Sequence, residues 1–268
     1  MPRVSRILMI VLVFALFFPF TTNLSVAHAA EKEASTTYEY TAIGDSIGFG
    51  FGAFHGYVPR YGDYMEDDTS SKVNIQNKSV LGWETPQLLH AVKTDTAMRL
   101  RLAVSSVISW DIGGNDFRVA RNKYIAGTCG GPKNEDCLVE TSKLVKKNWI
   151  EIVTILHELR QGKDTNFRTM DLYNPYIAVD KKAKSYDGTK SRFEVFKPYL
   201  DDLNQFIHDQ ESMGYTTANV YDAFNGPKHD EDPRAKGYIF IDGLHPNYKG
   251  YEVIAKEFRK LGYAPLVP

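Results

Sequence analysis

Apolar and β-branched residues gather in five short runs, Tyr38–Ile43, Val73–Asn77, Val104–Ile112, Phe167–Leu172 and Thr217–Tyr221, each bounded by turn-forming residues. Runs of this length read as strands. Between and after them the apolar spacing changes to that of helices. Val145, Trp149, Ile152, Val153, Leu156 and Leu159 share one helical face, as do Leu200, Leu203, Phe206 and Ile207. Tyr251, Ile254, Ala255, Phe258 and Leu261 form the stripe of a last helix, and Gly262 stands where a C-terminal cap belongs. Strands alternating with helices predict a parallel sheet covered on both faces. No internal repeat or linker divides this pattern.

Three longer polar segments interrupt it: Phe117–Cys137, Asn174–Arg192 and Ala223–Gly237. Each follows a predicted strand, so each is expected to emerge at the carboxyl ends of the sheet, the side on which open α/β sheets bind ligands. Loops of that length are functional, mobile or simply decorative.

The N-terminus has a different character. Arg3 and Arg6 precede an apolar run from Ile7 to Phe20, and the small-residue site Ala27-His28-Ala29 follows. A basic start, an apolar segment of about 14 residues and a small-x-small site describe a secretory signal peptide. A spanning helix needs about 20 apolar residues, so no membrane span is expected after cleavage. The expected organisation is a signal peptide over 1–29 and one domain over 30–268, with an extracellular location. An uncleaved anchor is the alternative.

Loss of Arg3 and Arg6 takes the formal net charge from −1 to −3. Such a balance offers no electrostatic reason to bind nucleic acid. The remaining length suits a single α/β domain, and a monomer is expected. In an exported chain the two cysteines, Cys129 and Cys137, are expected to pair, with two free thiols as the alternative. No histidine lies beside them to complete a metal site. Asp230-Glu231-Asp232 reads as a solvated acidic loop rather than a cation site.

Gly44-Asp45-Ser46-Ile47-Gly48 directly follows the first predicted strand. Ser46 there sits at a strand-to-helix turn, where backbone N–H groups at a helix start can face a developing oxyanion. The string also fits the G-x-S-x-G elbow of α/β-hydrolases, and an ordinary turn satisfies it as well. In Asp242-Gly243-Leu244-His245 an Asp three residues before a His can accept the ring Nδ1–H and leave Nε2 as a base. Of the seven histidines only His245 has this partner; His55, His90, His157, His208 and His229 read as surface or core residues. Gly113-Gly114-Asn115-Asp116 follows the third strand, where an Asn side chain can donate to an oxyanion or close an Asx turn. Gly82, after the second strand, is a further glycine in a loop.

In this order, Gly-Asp-Ser, a lone Gly, Gly-x-Asn-Asp and Asp-x-x-His, the blocks resemble the SGNH, or GDSL-type, hydrolase family from about Tyr38 to Leu261. Ile47 stands where leucine is commoner. The resemblance implies a three-layer α/β/α, flavodoxin-like sandwich with a central, mostly parallel sheet. It also implies Ser46 as nucleophile, Asp242 and His245 completing the triad, and an oxyanion hole of the Ser46 and Gly82 N–H groups and the Asn115 side chain. The implied chemistry is ester hydrolysis through an acyl-enzyme, with no cofactor and no metal. A serine after the first strand argues against an α/β-hydrolase, whose nucleophile usually lies mid-chain. The substrate expected is a lipid or short-chain carboxylic ester, with carbohydrate O-deacetylation as alternative. A catalytically silent glycan-binding module is a further one. Phe49, Phe51, Phe54, Tyr57, Tyr61, Tyr64 and Trp83 would line an acyl pocket, stack on a sugar or fill the core.

Overall fold

The computed structural model describes residues 36–267; the expected signal peptide lies outside them. Five parallel strands, β1 (Thr37–Gly44), β2 (Lys72–Asn77), β3 (Val107–Asp111), β4 (Asn166–Met170) and β5 (Thr216–Ala218), form one sheet in the order β2-β1-β3-β4-β5. The expected flavodoxin-like arrangement is thus present, and the sheet is parallel throughout. Alternate residues of each strand point to opposite faces. Ile43, Ile108, Trp110 and Phe167 pack on α3 (Thr85–Thr94), α4 (Thr96–Val104), α6 (Asp136–Leu159) and α8 (Arg192–Asp209). On the other face Tyr38, Tyr40, Ala42, Val107, Met170 and Ala218 pack on α2 (Tyr57–Thr69), α9 (Val220–Asn225) and α10 (Tyr248–Lys260). Among the described residues no helix is long and apolar enough to cross a membrane.

Local chemistry sets the helix starts. Ser191 and Glu194 form a capping box at α8, and the Asn247 side chain accepts the N–H groups of Lys249 and Gly250 at α10. Gly262 has φ +66° just beyond α10, as its predicted capping role requires.

Three expected boundaries shift. The run Val104–Ile112 contains the end of α4, and strand β3 begins only at Val107. An apolar run carries no mark where a helix hands over to a strand. Likewise Val220 and Tyr221 open α9 instead of extending β5, because the Asp171 carboxylate accepts the Tyr221 N–H at 2.8 Å. The polar segment Phe117–Cys137 is half helical: α5 (Gly114–Ile125) presents Asn122 and Lys123 outward while Phe117, Ala120 and Tyr124 pack inward. Three inward residues at helical spacing lie hidden among polar neighbours there. Cys129 and Cys137 are joined in a disulfide, Cα to Cα 4.9 Å, that ties the loop after α5 to the start of α6.

Candidate active site

Strand β1 sits at the point where the sheet's order reverses, with β2 on one side and β3 on the other, so its end opens onto a crevice. There the chain makes a sharp turn into α1, the one-turn helix Ser46–Phe49. Gly44 takes φ +147° against the backbone of Asp111, and a Cβ on Gly44 or Gly48 would collide with Asp111. Asp45 caps α1, accepting the Ile47 N–H at 2.8 Å. Beneath it the buried Asp111 carboxylate accepts the Gly48 N–H at 3.0 Å and the Tyr57 hydroxyl at 2.9 Å. Burial pushes both carboxyls up, Asp111 well above the usual range, and the nearby Asp45 charge adds to the effect on Asp111.

Ser46 therefore occupies the first position of a pinned helix turn, 7% exposed. The hairpin-like loop before α10 brings His245 to it: Phe240 N–H donates to His245 O at 2.7 Å, and Ile239 bridges Pro246. His245 Nε2 lies 2.8 Å from Ser46 Oγ, and its Nδ1 lies 2.5 Å from Asp242 Oδ2. With the proton on Nδ1, the ring donates to Asp242 and Nε2 accepts the Ser46 hydroxyl. Burial alone would raise Asp242, but hydrogen bonds from the His245 ring and from the N–H groups of Leu244 and His245 outweigh it and hold the carboxyl below its ordinary range. The Phe51 ring lies 4.6 Å from the imidazole.

Asn115, in the first turn of α5, reaches the same place. Its Nδ2 donates to Trp83 O at 2.9 Å and to Asp45 Oδ2 at 3.2 Å, while its Oδ1 accepts from Arg118 Nε at 3.2 Å. Gly82 lies in the adjoining loop with φ +78°, tied to β1 by the Val80 N–H donating to Gly44 O. Among the described residues neither the Ser46 nor the Gly82 N–H meets a protein acceptor. The serine and aspartate are thus linked through the histidine ring, and the Asn115 and Gly82 segments adjoin them through Asp45 and Trp83.

A cavity of about 990 Å³, counted out to its open mouth, runs from Ser46 and His245 between α5, α6 and α8. Ile112, Phe117, Leu138, Leu172, Phe196 and Leu200 make its walls largely apolar. Also in its lining, Arg121 donates to the buried Asp180 from Nε at 3.0 Å and from Nη2 at 2.5 Å. None of the aromatic residues singled out near Ser46 lines this cavity. Tyr57 and Tyr61 are core, Phe49, Phe51 and Phe54 are exposed, and Tyr64 and Trp83 pack against the two core clusters. The walls come instead from α5, α6 and α8, whose inward stripes carried the available signal.

Other histidines have carboxylate partners that sequence spacing did not reveal. His208 Nε2 lies 3.1 Å from Asp171, His229 Nε2 2.8 Å from Asp222, and His55 2.8 Å from Asp63. None of them contacts a serine. The acidic loop is tied into local contacts: Glu231 pairs with Lys236 at 2.7 Å, and Asp232 accepts the Arg234 N–H.

The model of the GDSL-like lipase/acylhydrolase family matches residues 40–258, spanning all of these elements. The chain belongs to this family. It is accordingly an ester-hydrolysing serine hydrolase, similar to known family members over most of its length. The spore germination lipase LipC of Bacillus licheniformis is 28% identical over 235 residues, 86% of this chain and 99% of that protein. The uncharacterized protein YpmR of Bacillus subtilis is 24% identical over 242 residues, 88% of this chain and 86% of that protein. Among solved structures, the lipase Lip_vut3 from a goat rumen metagenome superposes with TM-score 0.71 at 26% identity, covering 85% of this chain and 99% of that one.

Proposed function

We propose that the protein is an exported carboxylesterase or lipase in which Ser46 attacks the ester carbonyl while His245 takes its proton. Asp242 holds the ring in the required tautomer and stabilises the imidazolium. The alcohol leaves with that proton, and water then hydrolyses the acyl-enzyme on Ser46 by the same base. The free N–H groups of Ser46 and Gly82 are the donors available to the developing oxyanion. Asn115 joins them by giving up its longer bond, the one to Asp45. Export rests on the pattern of residues 1–29 and accords with the Cys129–Cys137 disulfide.

The observation that favours an acyl ester over a carbohydrate acetate is the apolar cavity continuous with Ser46 and His245. Each methylene it takes from water is worth about 0.8 kcal/mol, or about fourfold in kcat/KM, until the space is full. A series of p-nitrophenyl esters from acetyl upward, run beside acetylated xylan, tests this. The expected result is a specificity constant that climbs over several methylenes. A maximum at acetyl, with faster turnover of acetylated xylan, would overturn the acyl-ester reading. The LipC relative is named a lipase, which agrees with it.

A further inference from the structure

Asp242 and His245 stand on the connection 226–247 between α9 and α10, which holds no helix and no strand beyond the Ile239–Pro246 bridge. A turn on such a connection shifts freely unless its backbone groups are held. In the turn 242–245 they are held from two sides. The N–H groups of Leu244 and His245 donate to Asp242 Oδ1 at 2.9 and 3.1 Å. The two carbonyls between them have other partners: Gly243 O accepts from Arg234 Nη2 at 2.9 Å, and Leu244 O accepts the Tyr173 hydroxyl at 2.8 Å. Arg234 is exposed, so water can stand in for it. Tyr173 belongs to the segment after β4, and it lines the cavity together with Leu244 and His245.

Tyr173 is fixed on both sides along the chain. The Asn204 side chain of α8 closes on Leu172, accepting its N–H at 2.8 Å and donating to its carbonyl at 2.8 Å. The Asn225 side chain at the end of α9 does the same to Asn174, at 2.7 and 2.9 Å. Both amides are buried, which is costly unless their polar atoms are paired, and here the pairing falls on the two neighbours of one tyrosine. The Tyr173 ring packs on the buried Phe224, centroids 4.6 Å apart. All of this would hold a phenylalanine equally well. The phenolic oxygen adds a single bond, and that bond goes to the carbonyl of the residue before His245.

We propose that Tyr173 is a positioning residue for the hydrolytic reaction: its hydroxyl fixes the 242–245 turn from the cavity side and so keeps His245 Nε2 within reach of Ser46 Oγ. The proposal rests on the Ser46–His245 mechanism given above. A misplacement of about 1 Å at a reacting group can cost about a hundredfold in rate, and a turn that loses one of its ties while keeping the others moves less than that. The bond touches the base rather than the ester, so its loss belongs in kcat.

Tyr173→Phe keeps the ring and both asparagine clasps and removes only this bond. On p-nitrophenyl butyrate its kcat is expected to fall on the order of tenfold, with KM within about twofold of wild type. A p-nitrophenyl phosphonate, which reacts once with the nucleophile, separates positioning from folding. The burst should keep its wild-type amplitude, because every chain is folded, while its rate constant falls in step with kcat. An unchanged kcat overturns the proposal. So does a smaller burst at an unchanged rate constant, which would make Tyr173 a folding residue, or an effect confined to KM, which would make it a substrate contact. Ser46→Ala in the same assays keeps the two readings apart. If it stays active, the mechanism falls and the proposal with it; if it is inactive beside a fully active Tyr173→Phe, only the positioning role is lost.

Discussion

Ser46, Asn115 and Arg118 carry the finest-grained part of the reading. Ser46 Oγ has one partner able to accept its proton, His245, and replacing it by alanine removes the attacking atom without touching the bonds that pin the turn. Ser46→Ala is expected to lower turnover by at least about a thousandfold with an unchanged circular dichroism spectrum. Retention of a tenth of the activity would refute the nucleophile. Asn115 is a subtler case, because both hydrogens of its amide already have acceptors and its Oδ1 is held by Arg118. The Arg118 bond prevents a flip that would turn an oxygen toward the oxyanion. Asn115→Ala should therefore cost about a hundredfold in kcat with little change in KM. Arg118→Met should cost less, on the order of tenfold, through the same parameter. A defect confined to KM in either variant would make the residue a ground-state contact. Ser46 and His245 stood out as candidates because each lies in a short local motif; the Arg118 contact depends on one turn of α5, and the His208–Asp171 pair on residues 37 apart.

Elements were legible in proportion to the purity of their pattern. The stripes of α6, α8 and α10 and the cores of the five strands stand out in the sequence, and the structure places them as expected. What was lost lay at junctions, where apolar runs cross from helix to strand, and in α5, whose inward residues are diluted by arginine, asparagine and lysine. That loss matters for the site, because α5 forms one of the cavity walls. The disulfide belongs to the same neighbourhood: Cys129 and Cys137 share a buried cluster with Leu138 and Phe196, both of which line the cavity. Separation in sequence from Ser46 therefore does not separate the bridge from substrate. In the chain-entropy model a small closed loop stabilises by roughly 2–3 kcal/mol. For a chain of this size, the pair Cys129→Ser, Cys137→Ser should lower Tm by about 5–10 °C. It should also weaken turnover of long-chain esters more than of acetate. An unchanged Tm in the oxidised wild type and the double variant would refute the stabilising role.

Across the molecule, the price of building the site at the switch point of the sheet is a set of carboxyls kept away from water. Asp45, Asp111 and Asp116 are all buried near the ends of β1 and β3. Asp116 accepts the Thr85 N–H at 3.0 Å and the Thr85 hydroxyl at 2.7 Å, tying α5 to α3, yet burial still pushes it up to about 6 from 3.8. A carboxyl whose folded pKa is raised binds its proton more tightly in the native state than in the unfolded chain. Its contribution to stability is complete below the unfolded value near 4 and is lost as pH rises through about 6. Asp45 and Asp111 are shifted in the same direction. Opposed to them are Asp242, Asp68 and Asp187, whose lowered values make stability fall only on the acid side of about 4. Stability should therefore peak near pH 5, and Tm at pH 5 should exceed Tm at pH 7.5 by several degrees in the resting enzyme. Asp116→Asn should flatten the slope between pH 4 and 6, since an amide oxygen can accept the Thr85 N–H without titrating. Thermal melts of both proteins across this range provide the check. A wild-type Tm that rises steadily from pH 5 to 7.5 would mean that these carboxyls ionise without cost in the folded state.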